Sequence, residues 1–399
     1  MNSGKAQKIY KVVMLIIITA LLSSLITTII INEKFNSSLN IGNIASGDGT
    51  TGIESALASI RSILENKYIG ELDDEKMIQM AIKGYVAGVG DEYTVYYTPE
   101  EMSQEYDTAK GNYVGIGIYM IVNYEKGTIE VVEPMEGSPA EAVGLKEGDF
   151  IVKVAGEEIT VDNVNEMADK IKGEENTKIK LTIKRDEQEF DVEIERKKIE
   201  VSHIDSEMLE NDMAYIKISD FDGGAAKEFE ENYKNLKAQG AKSLIIDIRN
   251  NGGGVVDEAI DILELICDKG STLLIETEKN GKEEVTKSEE NPIIDIPIVV
   301  LVNENTASAS EILAGALKDN HKATIIGTKT YGKGVIQSLM KLTDGSGLKI
   351  TMAEYCTPNR NKINKIGIEP DIAVELPEGI KELTKENDTQ LQKAIETLK

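Results

Sequence analysis

The sequence predicts an α/β protein of several domains that follows an N-terminal apolar helix. In the second half of the chain, short β-branched runs alternate with segments of helical periodicity, a pattern typical of a mixed sheet flanked by helices. The middle of the chain is rich in strand-like runs and glycine turns, which predicts a separate β-rich domain. At 399 residues the chain is long enough for two or three such domains.

The first element is an apolar segment over residues 12–31. At about 1.5 Å per residue it is long enough to cross a bilayer core of about 30 Å. Three lysines lie within residues 1–11, so the positive-inside rule places this N-terminus in the cytoplasm and the following domains outside. A cleaved signal peptide is the alternative, but no Ala-x-Ala pattern follows the apolar run. We therefore predict a single-pass anchor in the cell membrane.

Residues 32–52 are polar and contain glycine and serine, which predicts a flexible linker. Two stretches of helical periodicity follow within residues 53–107. The apolar faces of these helices must be buried against another surface. Either packing within the chain or a homodimer contact provides that surface. The charged, helix-like tail over residues 378–399 is a further candidate for such an assembly.

A turn of small residues carries the candidate chemistry. Ser308 lies in Thr306-Ala307-Ser308-Ala309-Ser310-Glu311, between the strand-like run Ile298–Val302 and a segment of helical periodicity. At the start of a helix, free N–H groups and the helix dipole stabilise developing negative charge. A serine in this position is a candidate nucleophile, whereas a plain helix-capping serine is the simpler interpretation.

The base for this serine has few candidates, because the chain contains only two histidines, His203 and His321. Both lie in polar stretches, so a Ser-His-Asp triad is the weaker hypothesis. Lys333 lies between two glycines and follows a second apolar strand-like run, Ala323–Gly327. Burial among such strands lowers the pKa of an amine enough for it to act as a base. Gln337, four residues later, faces the same way as Lys333 if the segment is an extended strand.

This set of residues resembles the C-terminal processing peptidases, also called tail-specific serine proteases. The turn around Ser308 is similar to the family's Ser-Ala-Ser-Ala-Ser-Glu turn, and the spacings of 25 residues to Lys333 and four more to Gln337 are the family's. The resemblance implies that Ser308 attacks the peptide carbonyl, Lys333 accepts its proton and Gln337 holds the lysine. Thr306 and Glu92 depart from the family pattern at positions outside this set.

A glycine run is the candidate oxyanion site. The strand-like segment Ser243–Arg249 ends in Asn250-Asn251-Gly252-Gly253-Gly254, and glycines at a strand end allow backbone N–H groups to turn towards an anion. The family has a similar Asp-x-Arg-x-Asn-x-Gly-Gly segment. It implies an oxyanion hole formed by the N–H of Gly253 or Gly254 and the N–H of Ala309.

Residues 108–197 resemble a PDZ domain, which implies capture of a free C-terminus by an apolar loop and strand, Val114-Gly115-Ile116-Gly117-Ile118. The segment Gly137–Leu145 adds a capped short helix in the expected order. In related proteases an arginine near the end of the second PDZ helix helps to dock the domain, whereas Lys172 stands there in this chain. The PDZ-like segment precedes a histidine-poor domain over residues 198–377, which disfavours a trypsin-like PDZ protease.

Composition excludes several other classes. Seventy acidic against forty-four basic residues give a net charge of −26, which opposes binding to nucleic acid and to anionic lipid. Cys267 and Cys356 are expected to be free buried thiols, and no cluster has the spacing of metal ligands, so no metal or cofactor is implied.

The resulting hypothesis is a membrane-anchored extracytoplasmic serine endopeptidase that acts on proteins or peptides with free, apolar C-termini. Two alternatives stay open: a PDZ-gated regulatory protease with one dedicated signalling substrate, and a PDZ adaptor that binds peptides without cleaving them. The presence of all three residues, Ser308, Lys333 and Gln337, counts against the adaptor.

Overall fold

The computed structural model describes residues 50–199, 201–377, 379 and 383–399. The chain divides into two compact units, residues 1–82 and residues 83–399. The predicted cytoplasmic N-terminus and membrane span over residues 1–31 lie outside the described residues, as does most of the predicted linker. Among the helices of the described ranges, none has the length and apolarity needed to cross a bilayer.

The described part of the first unit is helical. Helix α1 (Thr50–Lys67) begins within the last residues of the predicted linker, and helix α2 (Asp74–Ala87) extends past the end of the unit. Helix α2 has no buried residue. Ile60 of α1 and Ile78 of α2 are 40% and 57% exposed.

After the end of α2, the second unit continues with a short strand, β1 (Val95–Tyr97), and a helix, α3 (Pro99–Ala109). The Thr98 hydroxyl accepts from the Glu101 N–H while the Glu101 carboxylate accepts from the Thr98 N–H, and Pro99 occupies the first helical position. This reciprocal cap fixes where α3 starts.

The predicted PDZ-like segment forms a β-rich domain. Its sheet has the order β3-β4-β5-β7-β8, with β6 beside β5, so β3 is an edge strand. The apolar face of α5 joins the core of this sheet through Val164, Met167 and Ile171. A two-stranded ribbon, β2 with β9, forms the entrance and exit of the domain. In chain order the elements are β2 (Tyr113–Gly115), β3 (Ile118–Asn123), β4 (Thr128–Pro134), α4 (Pro139–Ala142), β5 (Phe150–Val154), β6 (Glu157–Glu158), α5 (Val164–Ile171), β7 (Lys178–Arg185), β8 (Gln188–Glu195) and β9 (Lys197–Ile199).

The rest of the unit is an α/β domain with two sheets. The central sheet has the order β10-β11-β12-β15-β16-β19; β10 and β11 are antiparallel and the other pairs are parallel. The second sheet, β1-β18-β13-β14 with β17 beside β18, is antiparallel. The elements are β10 (Ile204–Leu209), β11 (Met213–Ile218), α6 (Ala225–Ala238), β12 (Ser243–Asp247), α7 (Val256–Glu264), β13 (Thr272–Glu278), β14 (Glu283–Lys287), β15 (Ile298–Val302), α8 (Ala309–Asp319), β16 (Ala323–Gly327), β17 (Val335–Lys341), β18 (Gly347–Cys356), β19 (Ile372–Ala373) and α9 (Thr389–Thr397).

Both faces of the central sheet are buried. Along β15, Val300 and Val302 belong to the main core with α6, α7 and α8, whereas Val299 and Leu301 belong to a second core with Leu391 of α9. Because alternate residues of a strand point to opposite faces, burial on both faces explains why β15 is apolar without interruption. The predicted α/β multidomain class with a mixed sheet is confirmed, and the predicted C-terminal tail packs as α9 on the sheet of its own chain.

Candidate active site

Ser308 occupies the sharp turn between β15 and α8. Its backbone has φ 58° and ψ −119°, a region that residues with a Cβ rarely adopt. Such a conformation is found mainly where a functional site requires it. Ala309 is the first residue of α8, and its N–H has no hydrogen-bond partner among the described residues. The turn therefore places a partly exposed hydroxyl at the N-terminus of a buried helix.

A buried carboxylate ties the segment of Ser308 to the segment of Lys333. Glu311 Oε2 accepts the Ser308 N–H at 3.0 Å and the Lys333 N–H at 2.8 Å. Its Oε1 accepts the Gly332 N–H at 2.8 Å and the Thr330 hydroxyl at 2.5 Å. Burial raises the pKa of Glu311, and the four donors act in the opposite direction. The two predicted catalytic residues thus share one oxygen atom through their backbones.

Tyr355 joins the same two segments from strand β18. Its hydroxyl lies 3.0 Å from the Ser308 carbonyl oxygen and 2.5 Å from the Lys333 carbonyl oxygen. The side chain is 3% exposed, so the contact is fixed by the surrounding core. Glu311 and Tyr355 together define the spacing of the two loops.

The Lys333 side chain is half-buried, and its ammonium group lies over an aromatic ring. Nζ is 4.4 Å from the centroid of the Tyr93 ring, which comes from the segment that precedes β1. Burial, and next the positive charge of Lys349, lower the pKa of Lys333 below its usual range. A lowered pKa increases the neutral fraction of the amine, which is the form that accepts a proton.

The side chains of the three predicted catalytic residues make no hydrogen bonds to one another among the described residues. Among the described residues, no hydrogen bond connects Ser308 Oγ with Lys333 Nζ, and the Gln337 amide donates to Val335 O and Thr351 Oγ1, each at 3.4 Å. Strand β17 begins only at Val335 and has a bulge between Ile336 and Gln337, so simple alternation does not relate Gln337 to Lys333.

The predicted oxyanion loop lies directly against the nucleophile turn. A Cβ added to Gly253 would lie 2.7 Å from Ser308 Cβ, and one added to Gly254 would lie 2.6 Å from the backbone carbon of Phe221. Both glycines also have positive φ, 104° and 150°, so only glycine fits at either position. The Gly253 N–H donates to Asn251 Oδ1, whereas the Gly254 N–H has no partner among the described residues.

Asn251 holds this loop against the serine turn. Its carbonyl accepts the Ala307 N–H and the Ser310 hydroxyl, both at 3.0 Å, and its amide nitrogen donates to Ile218 O at 2.9 Å. The side chain is fully buried. Hydrogen bonds made by the backbone carbonyl and the side-chain amide of Asn251 therefore set the position of the glycine loop relative to Ser308.

Neither histidine takes part in this arrangement. His321 is exposed beyond the C-terminal end of α8, about 15 Å or more along the helix from Ser308 at 1.5 Å per residue. His203 is buried, with Nδ1 2.7 Å from Asp220 Oδ1, and that carboxylate raises the pKa of His203. The alternative of a histidine base finds no support in these positions.

The predicted peptide-binding loop has free backbone donors. The Ile116 carbonyl accepts from the Ala140 N–H and the Gly117 carbonyl accepts from the Met135 N–H. The N–H groups of Ile116 and Gly117, in contrast, have no hydrogen-bond partner in the part of the chain that the structure describes. The loop thus presents donors beside the open edge of β3, as capture of a terminal carboxylate requires.

Comparisons with known proteins assign the family. Residues 212–374 match the peptidase family S41, and residues 130–185 match the PDZ domain family. The carboxy-terminal processing protease CtpA of Bacillus subtilis (strain 168) is 36% identical over 369 residues, which cover 92% of this chain and 78% of the relative. This chain belongs to the carboxyl-terminal processing proteases of peptidase family S41. The carboxyl-terminal-processing protease of Synechocystis sp. (strain ATCC 27184 / PCC 6803 / Kazusa) is also 36% identical and covers 84% of the chain and 80% of the relative.

A solved structure supports the same assignment for this S41 protease. The photosystem II D1 C-terminal processing protease is 27% identical, with a TM-score of 0.50, and the match covers 86% of this chain and 93% of that chain. The matched S41 and PDZ ranges fall within the α/β domain and the β-rich domain described above. The chain is therefore a serine-type peptidase with a PDZ domain.

Three residues of this S41 protease site were missed by sequence reasoning: Tyr93, Glu311 and Tyr355. Glu311 had a local signal, because Ser308-x-x-Glu311 has the spacing of a capping box. The two tyrosines had none, since each reaches the site through a contact far apart in sequence. Within the described ranges no group of His, Cys, Asp and Glu is arranged to hold a metal, and Cys267 and Cys356 are both free, the second only partly buried.

Proposed function

We propose that this S41 protease is a membrane-anchored extracytoplasmic endopeptidase that captures free, apolar C-termini with its PDZ domain and cleaves upstream through Ser308 and Lys333. The observation that carries the proposal is the shared bond of the Ser308 and Lys333 backbones to Glu311 Oε2. Anchoring rests on the apolar segment 12–31 and the lysines before it. The exposed apolar faces of α1 and α2 support a homodimer contact.

In the proposed reaction, neutral Lys333 takes the proton from Ser308 Oγ as the oxygen attacks the scissile carbonyl. The N–H groups of Ala309 and Gly254 stabilise the oxyanion, because neither has a hydrogen-bond partner among the described residues. Ala309 follows Ser308 directly, and Gly253, the neighbour of Gly254, lies against the serine turn. Lys333 then protonates the departing amine, and water hydrolyses the acyl-enzyme by the reverse sequence. The Gln337 amide must break its hydrogen bond to Val335 O or to Thr351 Oγ1 before it can orient Lys333.

Cleavage of an unstructured protein by the full chain and by four variants tests the mechanism. Ser308→Ala and Lys333→Ala should each abolish cleavage with little change in the circular dichroism spectrum, while His321→Ala should cleave like the parent. Activity that survives Lys333→Ala but is lost in His321→Ala or His203→Ala would replace the lysine mechanism with a histidine one. Binding of an apolar tail without cleavage by any form would favour the adaptor.

A second candidate is a PDZ-gated regulatory protease with one dedicated signalling substrate. It is favoured by the position of Lys333 Nζ over Tyr93 and by the absence, among the described residues, of a hydrogen bond between Lys333 and Ser308. A peptide with an apolar C-terminus, added in trans, should then accelerate cleavage of a second substrate. Simple competition between peptide and substrate would instead indicate an enzyme that is active at rest.

A further inference from the structure

The peptide groove of the PDZ domain opens into a cavity that has a second wall from outside the domain. The cavity has a volume of about 690 Å³ and is lined by apolar residues of the PDZ domain, including Ile118, Met120 and Ile171. It is also lined by one side of helix α3. Its volume is in the range of about 300–1,000 Å³ typical of small-ligand sites, so it has room for the last residues of a peptide.

Helix α3 presents a polar stripe to this cavity. The lining residues of α3 have the i, i+3, i+4, i+7 spacing of one helix face, and all are exposed: Glu100, Ser103, Gln104, Asp107 and Thr108. The opposite side of α3 is fixed to the protease domain, because Met102 is buried against Gly347 and Glu105 pairs with Lys349. The stripe is thus held in place by contacts that do not involve the PDZ domain.

The charges around the cavity are predominantly negative. Glu100 and Asp107 of α3 and Glu174 and Glu175 after α5 contribute four carboxylates, against one lysine, Lys172. In the part of the chain that the structure describes, none of the four carboxylates has an ion-pair partner. Their combined field attracts cationic side chains and opposes a ligand that carries further negative charge.

An extended peptide added to the edge of β3 has side chains that alternate in direction. If the terminal side chain enters the apolar part of the groove, the third residue from the end points the same way. The side chains of the second and fourth residues from the end then point away from the apolar residues of the groove, towards the wall that α3 forms.

We propose that α3 is a second recognition surface for the substrate tail. It selects basic side chains at the second and fourth positions from the C-terminal end, where the last residue is apolar. Glu100 and Asp107 are the specificity-determining residues of this surface, and the PDZ groove recognises the terminal residue. The inference rests on the proposed function, since it requires that the groove binds free C-termini.

The test uses the full chain with Ser308→Ala, in detergent, and fluorescein-labelled peptides that end in leucine. The second and fourth positions from the end are both lysine, both glutamine or both glutamate, and binding is followed by fluorescence anisotropy. We expect the lysine peptide to bind about tenfold more tightly than the glutamate peptide, since each exposed charge pair contributes modestly. The difference should shrink at an ionic strength of about 0.5 M, where the Debye length is only a few ångströms.

Two variants assign the preference to α3. Glu100→Gln with Asp107→Asn should remove most of the preference, and Glu100→Lys with Asp107→Lys should reverse it. The matched control is Glu187→Lys with Glu189→Lys, which makes the same charge change at exposed positions outside the cavity lining, the first on the turn between β7 and β8 and the second at the start of β8. The control should keep the parent's order of affinities.

The outcomes separate this inference from the proposed function. Equal affinity for the lysine and glutamate peptides, with apolar tails still bound, would overturn the selection of basic side chains by α3. It would leave the proposed function intact. A preference that survives both α3 variants would also overturn the selection by α3. Failure to bind any apolar tail contradicts the proposed function itself and the inference with it.

Discussion

At the scale of single residues, Glu311 is the centre of the site. Its four hydrogen-bond donors come from the nucleophile turn and from residues 330–333, so one side chain sets the geometry of both. A glutamine at this position would direct its NH₂ group at donors that need an acceptor. The loss of one acceptor in a buried network leaves a donor unsatisfied, which is costly.

We therefore expect Glu311→Gln to lower the free energy of unfolding by about 2–4 kcal/mol and the turnover rate by at least about tenfold. Unfolding is measured in urea by far-UV circular dichroism, since the chain has no tryptophan. The matched control is Glu304→Gln, an exposed position in the turn before Ser308, which should behave like the parent. Normal turnover in Glu311→Gln would show that the two loops hold their spacing without this carboxylate.

The pH dependence of cleavage depends on Lys333. Its pKa is lowered by burial and by Lys349, so kcat/KM should rise with pH as the amine loses its proton. Lys349→Gln removes the neighbouring positive charge, which raises the pKa of Lys333 and moves the acidic limb of the profile to higher pH. Lys349→Arg keeps the charge and should leave the limb in place. An unchanged profile in Lys349→Gln would mean that Lys333 does not control this limb.

At the scale of elements, α9 belongs to the protease domain. Arg249, which follows β12, is buried between Asp247 and Asp388, with Nη2 at 2.5 Å and 2.8 Å from their Oδ2 atoms. Asp388 also accepts the Leu391 N–H and so caps α9. The helix that ends the chain is thereby attached two residues before Asn251 and the oxyanion loop.

Removal of one partner from this buried cluster should be strongly destabilising. We expect Asp388→Ala to lower the free energy of unfolding by about 3–5 kcal/mol, because the Arg249 charge loses half of its anionic neighbours while it stays buried. Glu396→Ala, an exposed change in the same helix, should stay within about 0.5 kcal/mol of the parent. If both variants unfold at the same urea concentration, the cluster contributes little to the stability of the domain.

The elements also show which parts of the structure can be predicted from sequence. The runs Ile298–Val302 and Ala323–Gly327 coincide with β15 and β16, because continuous apolar, β-branched segments are a local signal. The position of Ser308 at a strand–helix turn was predictable for the same reason. The roles of Tyr93, Tyr355 and Arg249 were not, since each depends on a contact between distant segments. The bulge in β17 likewise has no local signal, and it changes the direction in which Gln337 points.

At the scale of the whole molecule, the proposed function requires a groove that holds a C-terminus and a serine that cleaves the same chain upstream. Among the residues that the structure describes, the N–H groups of Ile116 and Gly117 in the groove and of Gly254 and Ala309 at the site have no hydrogen-bond partner. Under the proposed function, both sets receive oxygen atoms of one extended substrate chain. A free carboxylate at the substrate terminus is therefore central to the account.

The most direct measurement compares cleavage of one unstructured protein with three C-terminal ends: an apolar residue with a free carboxylate, the same residue as an amide, and a charged residue with a free carboxylate. The parent and Ser308→Ala are tested side by side. We predict that only the parent cleaves, and that it cleaves the apolar free end fastest. Equal rates on all three ends, or cleavage that persists in Ser308→Ala, would contradict a Ser308-dependent protease that recognises C-termini.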